Sequence, residues 1–147
     1  MHTYDLFDLK GKVAIITGGG GGLGSQMATA LTDAGCAVVL CSRKAENCEA
    51  VVEELTNKGA KAKAYACNVT DPDQVNKLVS DVIEEFGRID ILVNNGGTTW
   101  GAPVEEMPLH AWEKVMNVNV TGTFLMSQAV GKHMIESGNG GQILNMV

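Results

Sequence analysis

Aromatic residues make up only 5% of the 147, so whatever core this chain buries is chiefly aliphatic. Positive charge is also short, at 11 Lys and Arg against 17 Asp and Glu. The net charge of -6 argues against a nucleic-acid groove, which needs a basic face, and against docking on an anionic membrane surface. A negatively charged ligand must then be held locally. No apolar run approaches the roughly 18 residues of a membrane span, and no signal-peptide pattern occurs, so a cytoplasmic location is expected. Cys36, Cys41, Cys48 and Cys67 lack C-x-x-C spacing and have no histidines clustered with them. Neither a metal site nor a disulfide framework is expected, and each thiol reads as a small buried hydrophobe. What is present, 45% hydrophobic residues, suffices for a single domain over 1–147 with its own core.

The stretch from Val13 to Gly35, VAIITGGGGGLGSQMATALTDAG, organises the rest. Val13 to Thr17 is apolar and predicts a strand of a parallel sheet covered on both faces. Gly18 to Gly22 and Gly24 predict a loop, because each glycine in a helix interior costs about 1 kcal/mol relative to alanine. A helix is expected over Ser25 to Ala34, with Leu23, Met27, Ala30, Leu31 and Ala34 at helical spacing and Gly35 closing it. Gly19, Gly21 and Gly24 satisfy G-x-G-x-x-G, although an isolated glycine tract reads better as a linker. The strand before it and the helix after it turn the reading toward phosphate binding, since bare backbone N–H groups meet the positive end of a helix there.

Ala37 to Cys41 predicts a second buried strand, followed by Ser42, Arg43 and Lys44. In a βαβ nucleotide fold this strand end lies beside the adenosine ribose, where an acid would accept from both hydroxyls of NAD. No acid is present. Arg43, 19 positions after Gly24, offers a planar fork suited to a 2′-phosphate and points to NADP, with NAD as the alternative. A solvated turn is the plainer explanation of the two cations. Glu46 to Lys58 predicts a helix with Cys48, Val51, Val52 and Leu55 on one face. Lys61 to Cys67 alternates, which predicts an edge strand guarded by lysines. Asp71, Pro72 and Gln74 stand at the N-cap, N1 and N3 positions of a helix with the stripe Val75, Leu78, Val79, Val82, Ile83 and Phe86, ended by Gly87.

Ile89 to Val93 predicts the fourth strand, and Asn94-Asn95-Gly96-Gly97 at its end allows close backbone approach at the edge where α/β sheets bind ligands. After a loop over Thr98 to Met107, Pro108 opens a helical stretch to Ser137. Its stripe, Trp112, Val115, Met116, Thr123, Met126 and Val130, is interrupted by Asn119 among poor helix formers, which predicts a kink. A structural and a catalytic amide fit Asn119 equally well. Gln142 to Val147 predicts a fifth strand, and Met1 to Lys10 an irregular packed arm.

With these motifs placed, the chain resembles the short-chain dehydrogenase/reductase family. Thr17-Gly18-x-x-x-Gly22-x-Gly24 is similar to its T-G-x-x-x-G-x-G, Asn94 to Gly97 to its N-N-A-G, and Asn119 to Gly122 to its N-x-x-G. The resemblance implies a three-layer, doubly wound parallel α/β sheet, the Rossmann fold, ending here after its fifth strand. It implies coenzyme binding by Gly18, Gly20, Gly21, Gly22, Leu23, Gly24, Ser42, Arg43, Asn68, Val69, Asn95, Gly96 and Gly97, and a catalytic role for Asn119. Asn68-Val69 replaces the usual Asp-Val at the adenine, keeping an acceptor for the adenine amino group without its charge. Gly21 stands where many NADP users carry a basic residue. A carbonyl or secondary alcohol of the sugar-acid, polyol or 3-oxoacyl kind is the implied substrate, and a dimer or tetramer the implied assembly.

The family's reaction also uses a serine and a Tyr-x-x-x-Lys pair. Tyr4 and Tyr65 are followed four places later by Asp8 and Val69, so neither supplies that pair. The chain is similar to the first three-fifths of a family member and is expected to be inactive alone. A dinucleotide-binding module without turnover, or a relic with a sticky apolar face, is the alternative. Trp100 reads either as lining the substrate pocket or as covering the sheet edge.

Overall fold

The computed structural model describes residues 1–147. Five strands form one parallel sheet in the order β3-β2-β1-β4-β5: β1 is Val13–Thr17, β2 Ala37–Ser42, β3 Ala62–Ala66, β4 Ile91–Asn94 and β5 Gln142–Asn145. Helices α1 (Gly22–Asp33), α2 (Glu46–Asn57), α3 (Pro72–Phe86), α4 (Leu109–Met116) and α5 (Gly122–Ser137) connect them, with a π-helical turn over Asn117–Thr121 joining α4 to α5. In the centre of the sheet Ile15 lies level with Val39 on one side and Leu92 on the other, and all three are buried. Parallel strands covered on both faces need such unbroken apolar runs, and each buried aliphatic side chain contributes about 1.5–3 kcal/mol.

The apolar residues divide into two layers. Ile15, Val39, Cys41 and Leu92 face α3 and α5, meeting Val75, Leu78, Val82, Met126 and Val130. Ala14, Ile16, Val38 and Leu40 face α1 and α2, meeting Ala28, Cys48 and Leu55. The three-layer arrangement follows directly from the alternation of side chains along each strand. The caps of α3 are those expected: Asp71 accepts from the Asp73 and Gln74 N–H groups, and Gly87 ends the helix in the left-handed region. All four cysteines are free and buried.

Several local expectations are corrected. Helix α1 begins at Gly22 and not Ser25, so two glycines sit in its first turn, where N–H groups have no intrahelical partner to lose. Its inward face is Gly24, Ala28 and Leu31, while Leu23 and Ala30 are exposed. The Met1–Lys10 arm packs only through Leu9; its short 3-10 turn leaves Leu6 and Phe7 exposed. Strand β4 starts two residues later than Ile89. The largest correction concerns the stripe on α4 and α5. Ala111, Val118, Gly122, Met126, Val130 and Met134 turn inward, whereas Trp112 and Met116 join Leu109, Val120 and Phe124 on an exposed apolar strip. The π-turn adds a residue to the helical ladder and shifts the phase, so a single stripe read straight across it mixes two faces.

Candidate functional site

Strand order runs outward from β1 through β2 to β3, then returns to place β4 on the other side of β1. The helices that follow β1 and β4 pack on opposite faces of the sheet, and a crevice opens above the strand ends. A cleft of about 180 Å³ lies there, lined by Thr17, Gly18, Cys41, Ser42, Arg43, Asn68, Val69, Gly96, Gly97, Thr98, Lys114 and Val118. Seven of the expected site residues, Gly18, Ser42, Arg43, Asn68, Val69, Gly96 and Gly97, line this one cleft. Gly20, Gly21, Gly22, Leu23 and Gly24 are outside its lining, on the adjoining loop and first turn of α1.

Thr17 holds the two loops together. Its buried hydroxyl accepts from the Asn95 N–H at 3.0 Å and the Gly96 N–H at 2.8 Å, and Asn95 Nδ2 donates to the Gly18 carbonyl at 3.2 Å. Beneath it, the buried Asn94 donates through Nδ2 to Ser127 Oγ and to Asn145 Oδ1, tying β4 to α5 and β5.

The glycines of the loop do different jobs. A Cβ on Gly20 would lie 2.3 Å from the Asn47 carbonyl oxygen, and one on Gly24 2.3 Å from that of Gly18. Those positions are bare because the chain itself occupies the space. Gly21 and Gly22 have nothing within 4 Å of a built Cβ, so these two expose open backbone at the N-terminus of α1. That is the part of the loop free to meet an anion.

On the opposite wall Ser42 donates to the Lys44 carbonyl, closing a tight turn with Arg43 at its exposed apex. Asn68 corrects one expectation. Its Oδ1 accepts from both the N–H and the hydroxyl of Thr70, at 3.1 and 2.8 Å, so both lone pairs are used and the amide presents N–H donors. Asn119 is exposed, and its amide pairs reciprocally with the Thr98 backbone, accepting from the N–H at 2.8 Å and donating to the carbonyl at 3.0 Å. Its own carbonyl accepts from the Thr123 hydroxyl at 2.9 Å. Gly122 is bare because a Cβ there would lie 2.5 Å from Val69 Cγ2. Trp100 lines no part of the cleft; its ring meets His110 edge-on, with centroids 5.5 Å apart.

The four thiols are chemically quiet. Burial, then the charge of Asp90, pushes Cys36 up to about 11, and burial, then Asp71, pushes Cys67 up to about 11. Burial also raises Cys41 and Cys48. Thr17, Thr98, Lys114 and Val118 were not singled out as coenzyme residues by sequence. A hydroxyl ending a strand before a glycine loop could have flagged Thr17, whereas only the fold brings α4 to the cleft.

Residues 12–147 match the family model described as short chain dehydrogenase. D-Threitol dehydrogenase of Mycolicibacterium smegmatis is 43% identical over 140 residues, covering 95% of this chain and 54% of that protein. The crystal structure of a short-chain type dehydrogenase/reductase from Mycobacterium marinum superposes with a TM-score of 0.96 at 39% identity, covering 99% of this chain and 59% of that one. Gluconate 5-dehydrogenase from Burkholderia cenocepacia, solved in complex with NADP and tartrate, gives 0.91 at 36% identity, covering 98% and 56%. The chain thus spans about half the length of the curated relatives it matches.

Proposed function

The chain belongs to the short-chain dehydrogenase family, and on that premise we propose that its cleft holds NADP(H) for an oxidoreductase acting on a secondary alcohol or the corresponding ketone. One observation carries the choice of coenzyme. In a chain of net charge -6, the cleft at the end of β2 is lined by Arg43 and by no carboxylate. A carboxylate is what NAD selection uses at that place, and a guanidinium is what a 2′-phosphate uses.

The residues present fit the group. Gly21 and Gly22 offer open backbone to the diphosphate, with Gly18, Gly20, Leu23 and Gly24 shaping the loop around them. Ser42 and Arg43 flank the 2′-phosphate. Asn68 and Val69 bound the adenine, with Asn68 donating toward a ring nitrogen because its oxygen is engaged. Asn95, Gly96 and Gly97 form the floor that Thr17 fastens to β1. Asn119 positions Thr98 at the rim. When bound, the coenzyme's nicotinamide supplies the hydride chemistry, and the protein supplies binding and orientation.

Polyols and sugar acids are the favoured substrate class, as the names of the threitol and gluconate relatives suggest. We read residues 1–147 as one dinucleotide-binding unit acting in the cytoplasm; no helix is long and apolar enough to cross a membrane. We further read it as a homo-oligomer, in which a second copy covers the exposed strip from Leu109 to Phe124. NAD is the competing coenzyme, favoured by the lack of any cation within the glycine loop.

Calorimetric titration of the 147-residue chain tests the reading. NADPH should bind tighter than NADH by about ten- to a hundredfold, the worth of one charge-assisted contact of about 1.5–3 kcal/mol. Arg43→Leu should sharply reduce that preference. Binding without turnover of any polyol or keto sugar is expected, since neither Tyr4 nor Tyr65 is placed in a Tyr-x-x-x-Lys pair. Failure to bind either coenzyme overturns the proposal, and turnover by these residues alone overturns the account of the missing pair.

A further inference from the structure

We propose that Lys114 is a second specificity-determining cation, reading the 2′-phosphate of the coenzyme from α4 while Arg43 reads it from the turn after β2. The inference rests on the reading of the cleft as an NADP(H) site and names a residue that neither motif spacing nor the family resemblance supplies.

Four observations carry it. Lys114 and Val118 lie one helical turn apart on the continuous α4 and π-turn, and both line the cleft. Arg43 lines it from the turn after β2, so two cations approach one cavity from separate elements. Neither cation lies in an ion pair, and of the unpaired cations, which also include Lys10, Lys12, Lys44 and Lys61, these two alone line the cleft. No carboxylate lines the cavity. Two like charges lining one space without a counter-ion repel each other modestly, and an anion bound in that space relieves the repulsion.

The diphosphate of either coenzyme belongs with the open backbone at Gly21 and Gly22, outside this cleft lining. The charge left for Arg43 and Lys114 to meet is the extra phosphate that distinguishes NADP from NAD. A lysine suits the second position. Its ammonium is a compact point charge on a flexible stem, so it adjusts to a phosphate already oriented by the guanidinium fork.

The test titrates the wild-type chain, Lys114→Gln and Lys114→Arg with NADPH and with NADH, at low and at high salt. Lys114 is exposed, so the variants should keep the wild-type circular dichroism and melting curve, which are recorded alongside. Lys114→Gln should weaken NADPH binding by about two- to fivefold, the range of one partly screened charge pair, and leave NADH unchanged. Lys114→Arg should restore NADPH binding. The deficit should shrink as salt rises, because the lost interaction is between partly exposed charges. Equal weakening of both coenzymes would make Lys114 an adenine contact and overturn the proposal. Unchanged discrimination, with the wild type still preferring NADPH, would overturn it while leaving the NADP reading intact. If the wild type itself fails to prefer NADPH, both fall together.

Discussion

Along the outer side of β3, Lys63 is paired with Glu85 and Tyr65 shares the same carboxylate, whereas no charged residue occurs from Gly138 to Val147 on the side that β5 closes. Both are edge strands of one sheet. Behind β3 the apolar layer continues into Leu55 and Cys48 of α2. Beside β5, an apolar groove of about 270 Å³ runs between α1 and the sheet, lined by Met27, Ala30, Leu31, Ile91, Val93 and Leu144. Lysine on an edge discourages further pairing, and an uncharged edge with Ile143 and Leu144 partly exposed invites it. The cleft draws its lining from the ends of β1, β2, β3 and β4 and from α4, and none of it from β5.

The largest effect that tests this contrast is a core truncation. Leu40→Ala, in the guarded half where Leu40 is wholly buried, should cost about 2–5 kcal/mol in urea unfolding. Leu144→Ala, 47% exposed in the open half, should cost under about 1 kcal/mol because much of the side chain already meets water. Similar costs at the two positions would show that the open face is covered in solution.

A smaller effect concerns Asp90, which joins the base of β4 to that of β1. Its carboxylate accepts from the Val13 N–H at 2.9 Å and holds Arg88 in a forked pair. Burial pushes the Asp90 pKa up, but Arg88 and the Val13 N–H outweigh it and hold the group below the usual carboxylate value. A depressed pKa contributes stability that is full above the ordinary Asp value near 4 and disappears as pH falls through the folded-state value. Acid titration of stability should show this loss below about pH 4, and Asp90→Asn should flatten that limb. An unchanged acid limb in the variant would remove Asp90 from the account.

The smallest effect on folding is expected at the edges themselves. Ile143→Lys should alter unfolding free energy by no more than about 0.5 kcal/mol, as surface changes usually do, while reducing self-association in sedimentation velocity. Lys63→Ile should do the reverse and increase association. If Ile143→Lys leaves self-association unchanged, the β5 edge adds no contact to the one proposed along the strip from Leu109 to Phe124.

Most of the fold was legible because its signals are local. The apolar runs of β1 and β2, the Asp71-Pro72 start of α3 and the left-handed Gly87 each state their structure within a few residues. The exposed strip of Trp112 and Met116 was misread because periodicity cannot register a π-turn inserted downstream. The glycine loop was half legible. Its backbone freedom was evident, but the reason Gly20 is bare lies 27 residues away, in the carbonyl of Asn47. Asn119 gave its polarity away without its partner, since the Thr98 backbone reaches it only through the fold. Lys114 looked like any helical surface lysine for the same reason.

The interior placement of every sulfhydryl has a practical side. A maleimide or iodoacetamide reagent needs an accessible thiolate, and Cys36, Cys41, Cys48 and Cys67 offer neither access nor an easily lost proton. The folded 147-residue chain is therefore a blank background for labelling, and one cysteine introduced at an outward position such as Val104 would carry a fluorophore or spin label alone, without first stripping out the natural four.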